Sequence, residues 1–228
     1  SRNLTMNARR LTATVLCSAA AVTAVTALSG CAKKGEIVVD SGVGITAVRS
    51  ACPAVGIPDY TGDVTLFRAP NDRTAGNIDL EAAMTNVRTT CNDQGSDKVF
   101  AKVEFDVLAR RNDKQGARQV TLPYFVSVLQ GGSAVVSKRV GRVTLNFADG
   151  QDRAQFHATG SAFIDRAAAT LPADIREKIT RKRKAGDADA AVDPLSDPSV
   201  KAAVARSSFE VLVGFQLDEA QLAYNATR

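Results

Sequence analysis

Between residues 97 and 111 the chain alternates, with only Phe100 and Leu108 apolar on the polar parity. Val99, Ala101, Val103, Phe105, Val107 and Ala109 hold one parity, and Lys98, Lys102, Glu104 and Asp106 the other. A period of two sends successive side chains to opposite faces of a strand, so this segment buries one face and wets the other. A helix would instead repeat its apolar residues every three to four positions. Such a strand needs neighbours in a sheet and a second layer over its apolar face.

The flanking sequence supplies both. Residues 63–67 alternate as a short strand, and residues 45–49 form another. Residues 119–129 make a strand interrupted by Pro123, which lacks the ladder donor, so an edge position or a bulge is expected there. Gly131-Gly132 turns the chain into a strand over 134–147. Asp149-Gly150 turns it again, and residues 154–164 alternate with Phe156, Ala158, Gly160, Ala162 and Ile164 on one face. These four consecutive strands are expected to pair as an antiparallel meander. Residues 52–58 hold two prolines and are expected to form a loop. Residues 77–91 alternate too, but the apolar parity slips between Met84 and Val87. A β-bulge near Thr85-Asn86 explains the slip, and a helix over 79–88 is the competing expectation.

After Asp165 the character changes. Residues 172–184 are expected to be helical, with Ile175 and Ile179 one turn apart and Arg181-Lys182-Arg183-Lys184 at the end that the helix dipole prefers for cations. Residues 185–196 form a polar loop. Asp197-Pro198 starts a short helix to about Arg206. Residues 209–217 are apolar on both parities, as in a central strand, and Asp218 caps a final turn. The fold class expected is mostly β: an antiparallel β-sandwich, immunoglobulin-like in the loose sense, with a small helical insertion (about 172–206) before the last strand. A β-barrel is the alternative. An outer-membrane barrel is disfavoured, because aromatics make up only 5% of the chain and form no girdle.

The first thirty residues follow another logic. Arg9-Arg10 is followed by an uncharged run over residues 11–28, and Leu28-Ser29-Gly30-Cys31 ends it. This pattern resembles a bacterial lipoprotein signal peptide closing in a lipobox. The resemblance implies cleavage between Gly30 and Cys31, with Cys31 carrying the acyl chains (palmitate-type) that bind membrane lipid. Residues 1–30 would then be a removed signal peptide, 31–43 a lipidated N-terminus and tether, and 44–228 the β-sandwich domain. The competing expectation is an uncleaved anchor, since the run is long enough for a bilayer of ~30 Å. Leu122-Pro123-Tyr124-Phe125-Val126, and Gly214-Phe215-Gln216-Leu217 with Ala223-Tyr224-Asn225 behind it, resemble small lipoproteins of unknown function from Gram-negative bacteria. That resemblance implies a cell-envelope address on the periplasmic side. Ala32 after the lipidated position favours the outer membrane over the inner.

Charge and cysteines narrow the function. The formal net charge is +5, but Arg2, Arg9 and Arg10 lie in the first thirty residues, which hold no acid, leaving +2 for the rest. Nucleic-acid binding needs a phosphate-neutralising basic face, so no nucleic-acid partner is implied. Cys17 lies within the apolar run, and Cys31 is assigned to lipid. Cys52 and Cys91 remain, and in an oxidising compartment they are expected to pair, for about 3–4 kcal/mol. A zinc site fails on ligand count, because His157 is the only histidine. No metal or cofactor is implied.

Candidate sites are few. His157, on a strand, has no nucleophile motif around it. Asp187, Asp189 and Asp193 lack the spacing of a calcium loop. Arg181, Lys182, Arg183 and Lys184 are candidates for contact with a membrane surface or partner, and Arg110-Arg111 reads as a solvated turn. Tyr60, Tyr124 and Phe125 are candidates for a cleft between the sheets. Glu104, Asp106, Asp165 and Glu210 look scattered, whereas carboxylate chemistry needs paired acids. The function expected is a membrane-anchored, periplasm-facing, non-catalytic binding or assembly accessory with an envelope protein partner. An envelope hydrolase and small-ligand binding in a cleft are the alternatives.

Overall fold

A computed structural model describes residues 50–94 and 96–228. The lipobox with Gly30 and Cys31, the tether and the strand expected at 45–49 lie outside the described residues.

Eight strands form two sheets. They are β1 (Ala54–Gly56), β2 (Asp63–Phe67), β3 (Ile78–Asn92), β4 (Lys98–Arg111), β5 (Arg118–Gln130), β6 (Ala134–Phe147), β7 (Arg153–Asp165) and β8 (Phe209–Phe215). One sheet has the order β1-β8-β5-β6 and the other β2-β3-β4-β7. The protein is thus mostly β and sandwich-like, as the alternation requires. The core lies between the sheets. Val99, Ala101, Val103, Phe105 and Val107 of β4 are fully buried, against Val143 and Leu145 of β6 and Val211 and Val213 of β8.

The expected meander is not what forms. β5 and β6 make the hairpin turned by Gly131-Gly132, but the chain changes sheet between β4 and β5 and again between β6 and β7, so β7 pairs with β4. Alternation specifies which face a residue occupies and is silent about which strand lies beside it. Pro123 also sits differently: β5 is an interior strand, and its irregularity falls at Val128/Leu129. Pairing with β8 begins at Tyr124↔Phe215, and Gln216 N–H donates to the Pro123 carbonyl. The proline lies where the β8 ladder stops, so its missing donor costs no ladder bond. The loop expected at 52–58 contains β1, which pairs in parallel with β8 through Ala54↔Glu210 to Gly56↔Leu212.

The parity slip in β3 is a bulge. Thr85 pairs with Asp106 and Arg88 with Glu104, so Asn86 and Val87 together face Phe105. Asn86 has φ 53°, a left-handed conformation that asparagine tolerates. Tyr124, a cleft candidate, is instead part of the packing. Its ring lies 5.1 Å from that of Phe105, and a Cβ at Gly141 would fall 2.5 Å from it. A side chain at Gly141 would therefore displace the Tyr124 ring.

Between β7 and β8 come α1 (Arg166–Ala169), α2 (Ala173–Thr180) and α3 (Pro198–Ser207). Leu171, Ile175, Ile179, Val200, Ala203 and Val204 form a small apolar cluster of their own. Asp165 caps α1 and Asp197 caps α3. The helix expected over 172–184 stops at Thr180. Beyond it Arg183 turns inward, where its guanidinium meets Asp189 at 3.3 Å and donates to the Lys178 carbonyl. The final turn expected after Asp218 is a nine-residue helix, α4 (Glu219–Thr227), opened by a capping box of Asp218 and Gln221. Buried Asn225 holds α4 to the sheet by donating to the carbonyls of Tyr60 and Asp63.

Candidate functional site

Cys52 precedes β1 in one sheet and Cys91 lies in β3 of the other. They form the expected disulfide, with Cα atoms 5.9 Å apart. The bridge ties the two sheets at the end of the sandwich where β3 finishes. The opposite end is held by Arg111. This side chain continues the inward parity of β4 and is 1% exposed. Its Nε donates to the Gln151 carbonyl, and its Nη2 to the carbonyls of Lys114 and Ala148. Phe147 packs against the guanidinium at 5.2 Å. The solvated turn expected at Arg110-Arg111 is therefore half wrong: Arg111 joins the two segments by which the chain crosses between sheets. Asp79 of β3 and Arg118 of β5 add a two-pronged ion pair beside it, at 2.7 and 2.6 Å.

The outward face of the second sheet carries most of the polar chemistry. Along β4 it presents Arg110, Leu108, Asp106, Glu104, Lys102 and Phe100 in turn. Register places His157 opposite Asp106, and its Nδ1 lies 2.8 Å from that carboxylate. Glu104 lies 3.8 Å from the other ring nitrogen and 2.7 Å from Lys102. The bulge aims Asn86 at Asp106, 2.7 Å away. The hydrogen bond from Asn86, then that from His157, holds the Asp106 carboxyl below its ordinary pKa, and Lys102 does the same for Glu104. Glu104 and Asp106 are thus paired around His157 rather than scattered; a spacing of two in a strand puts them on one face. Among the described residues no hydroxyl or thiol hydrogen-bonds His157. Asp165 and Glu210 lie elsewhere.

Toward Arg110 this face opens into a groove of about 700 Å³. Ala83 and Leu108 line its floor, Arg110, Arg153 and Gln155 one side, and Asp63 and Arg228 the other. Arg228, at the end of α4, is ion-paired to Asp63 and donates to Thr65 at 3.3 Å. Residues from five separate segments meet here, and sequence order does not reveal the groove.

The remaining candidates are spread out. Arg181 and Arg183 both engage Asp189, whose carboxyl is held low by them, while Lys182 and Lys184 are exposed. Asp187 accepts from the Lys184 backbone, and Asp193 caps a short turn of 3-10 helix. Among the described residues no three His, Cys, Asp or Glu side chains are placed to hold one metal ion. Tyr60 is exposed, and Phe125 carries the Lys138 ammonium 5.0 Å from its ring centre. Finally, among the described strands β6 has a neighbour on one side only, and residues 134–140 are exposed throughout, including Val135 (62%), Val136 (50%) and Val140 (57%).

Fold and surfaces define a disulfide-linked two-sheet sandwich with an open sheet edge and a charged outer groove. No protein-family model, no curated protein and no solved structure matches the chain.

Proposed function

We propose that this protein is a lipoprotein of the bacterial cell envelope, anchored to a membrane through Cys31 and facing the periplasm. Its domain acts as a non-catalytic accessory that holds an extended, acidic segment of an envelope protein along β6. The open β6 edge carries this reading. Among the described residues its outer amides and carbonyls have no strand beside them, and three exposed valines flank them. A peptide added as a strand would satisfy the backbone groups and cover the valines. From Arg118 to Phe147 there is no carboxylate, while Arg118, Lys138, Arg139 and Arg142 are positive. That charge favours an acidic occupant and repels a second copy of the same edge. The Cys52–Cys91 bridge supports an oxidising compartment. A non-catalytic role is supported by Glu104 and Asp106, both lowered in pKa. A hydrolytic pair needs one carboxyl raised to serve as acid.

The address is tested by Cys31→Ser, which should abolish fatty-acid labelling and leave an uncleaved precursor. Labelling that survives would overturn it. The binding role is tested with a photo-crosslinker at Val136 or Val140 in intact cells. The expected product joins β6 to an acidic stretch of one envelope protein, and Lys138→Glu with Arg139→Glu should remove it. Crosslinks indifferent to that charge reversal would refute the reading.

A further inference from the structure

We propose that the groove beside Arg110 is a binding site for an organic oxyanion, a phosphate or carboxylate head on a short apolar body. The argument starts from register. Arg110 of β4 faces Arg153 of β7 directly across the ladder. Like charges in that position are destabilising. The other facing polar pairs of the same ladder are complementary, Lys98 opposite Asp165 and Asp106 hydrogen-bonded to His157. Among the described residues neither Arg110 nor Arg153 has a hydrogen-bond or ion-pair acceptor in the protein. Both line the groove of about 700 Å³.

The acids nearby form no ion pair with either arginine: Asp152, whose carboxyl Arg153 helps to hold low, is paired with Lys114 at 3.5 Å. Asp63 is taken by Arg228, whose end of α4 is fixed by Asn225. Glu81 also lines the groove and faces Arg110 from the β3 side, a complementary facing pair that makes no ion pair within the protein. It stands two strands from Arg153, about 10 Å at the usual strand spacing. An anionic head is thereby directed to the β7 side of the groove, between Arg110 and Arg153. Two guanidinium forks offer parallel donors to a planar carboxylate or to phosphate oxygens. Ala83 and half-exposed Leu108 provide an apolar floor for the rest of the ligand, and Gln155 supplies a neutral polar rim. The bound anion would turn a repulsive facing pair into a bridged one.

The test is calorimetric titration of the full chain, disulfide intact, with hexyl phosphate, inorganic phosphate and hexanol. Saturable binding of hexyl phosphate is expected, with weaker binding of inorganic phosphate and none of hexanol. Arg110→Gln and Arg153→Gln should each weaken hexyl phosphate by about tenfold or more, the loss of one charge-assisted contact. Their Tm should equal or exceed that of the parent, because the repulsion is relieved. Absence of saturation, binding unchanged in both variants, or variants that melt well below the parent would each overturn the proposal. Displacement of hexyl phosphate by phosphatidylglycerol vesicles would support the site and assign the head to a lipid. Binding that vesicles leave intact would support it and assign the head to a soluble anion.

Discussion

Arg110 and Arg111 are neighbours with identical side chains, and the strand pleat sends them to opposite fates. Arg111 points into the sandwich, is fully buried, and spends its donors on three carbonyls from two crossing segments. Arg110 points out, faces Arg153 on one side and Glu81 on the other, and has no hydrogen-bond or ion-pair acceptor among the described residues. A buried cation is costly unless its donors are met, so Arg111 persists only where the chain folds around it. A surface cation carries no such demand, and its arrangement is free to serve something outside the chain. Burial makes one arginine a structural hub, and exposure leaves its neighbour open to a ligand.

The largest expected effect comes from breaking the inner side of that contrast. Arg111→Ala would take the shared donor from the carbonyls of Lys114, Ala148 and Gln151 and leave a cavity against Phe147. The loss should be about 3–5 kcal/mol, measured by urea unfolding. Removing the disulfide at the other end of the sandwich comes next. Cys52 and Cys91 are 39 residues apart, and the chain-entropy model gives about 3–4 kcal/mol for closing such a loop. Paired Cys→Ala substitutions should lower the unfolding free energy from urea titration by that amount. Parent and variant that unfold together once the parent is reduced would tie the effect to the bridge alone.

Parity was the most readable signal in this chain. It foretold β4, the bulge at Asn86 and the interior position of β8, because each depends on which face a residue takes. It also carried Arg111: residues 99 through 109 point inward at every second position, and 111 continues the series. The polar company of Arg110-Arg111-Asn112-Asp113 suggested a turn and masked that continuation. The disulfide followed from counting cysteines against a compartment. Strand partners were not legible, since pairing of β7 with β4 rather than β6 depends on contacts between distant segments. For the same reason the groove was hidden, and His157 could not be joined to Asp106 before the register was known. The early end of α2 depends on Arg183 meeting Asp189 in a following loop, which no helical pattern encodes.

A third arginine sharpens the comparison and carries the smallest effect. Arg118 stands between the extremes: half-exposed, and held by a carboxylate instead of by carbonyls. The hydrogen bond from Arg118 keeps the Asp79 carboxyl below its ordinary pKa. A carboxyl lowered by folding stabilises the fold above its unfolded pKa, and that contribution is lost as pH falls through the folded value. Asp79→Asn should therefore cost up to about 1 kcal/mol at neutral pH, a size limited by solvent screening. The deficit should shrink with added salt and vanish in acid, where the parent's Asp79 is itself protonated. Among the described residues Arg111 donates to carbonyls and pairs with no acid, so the deficit of Arg111→Ala should hold over the same pH steps and resist salt. Urea midpoints of both variants and the parent, taken from neutral pH downward, separate the two cases. An Asp79→Asn deficit that persists in acid would mean the carboxylate charge is not what joins β3 to β5.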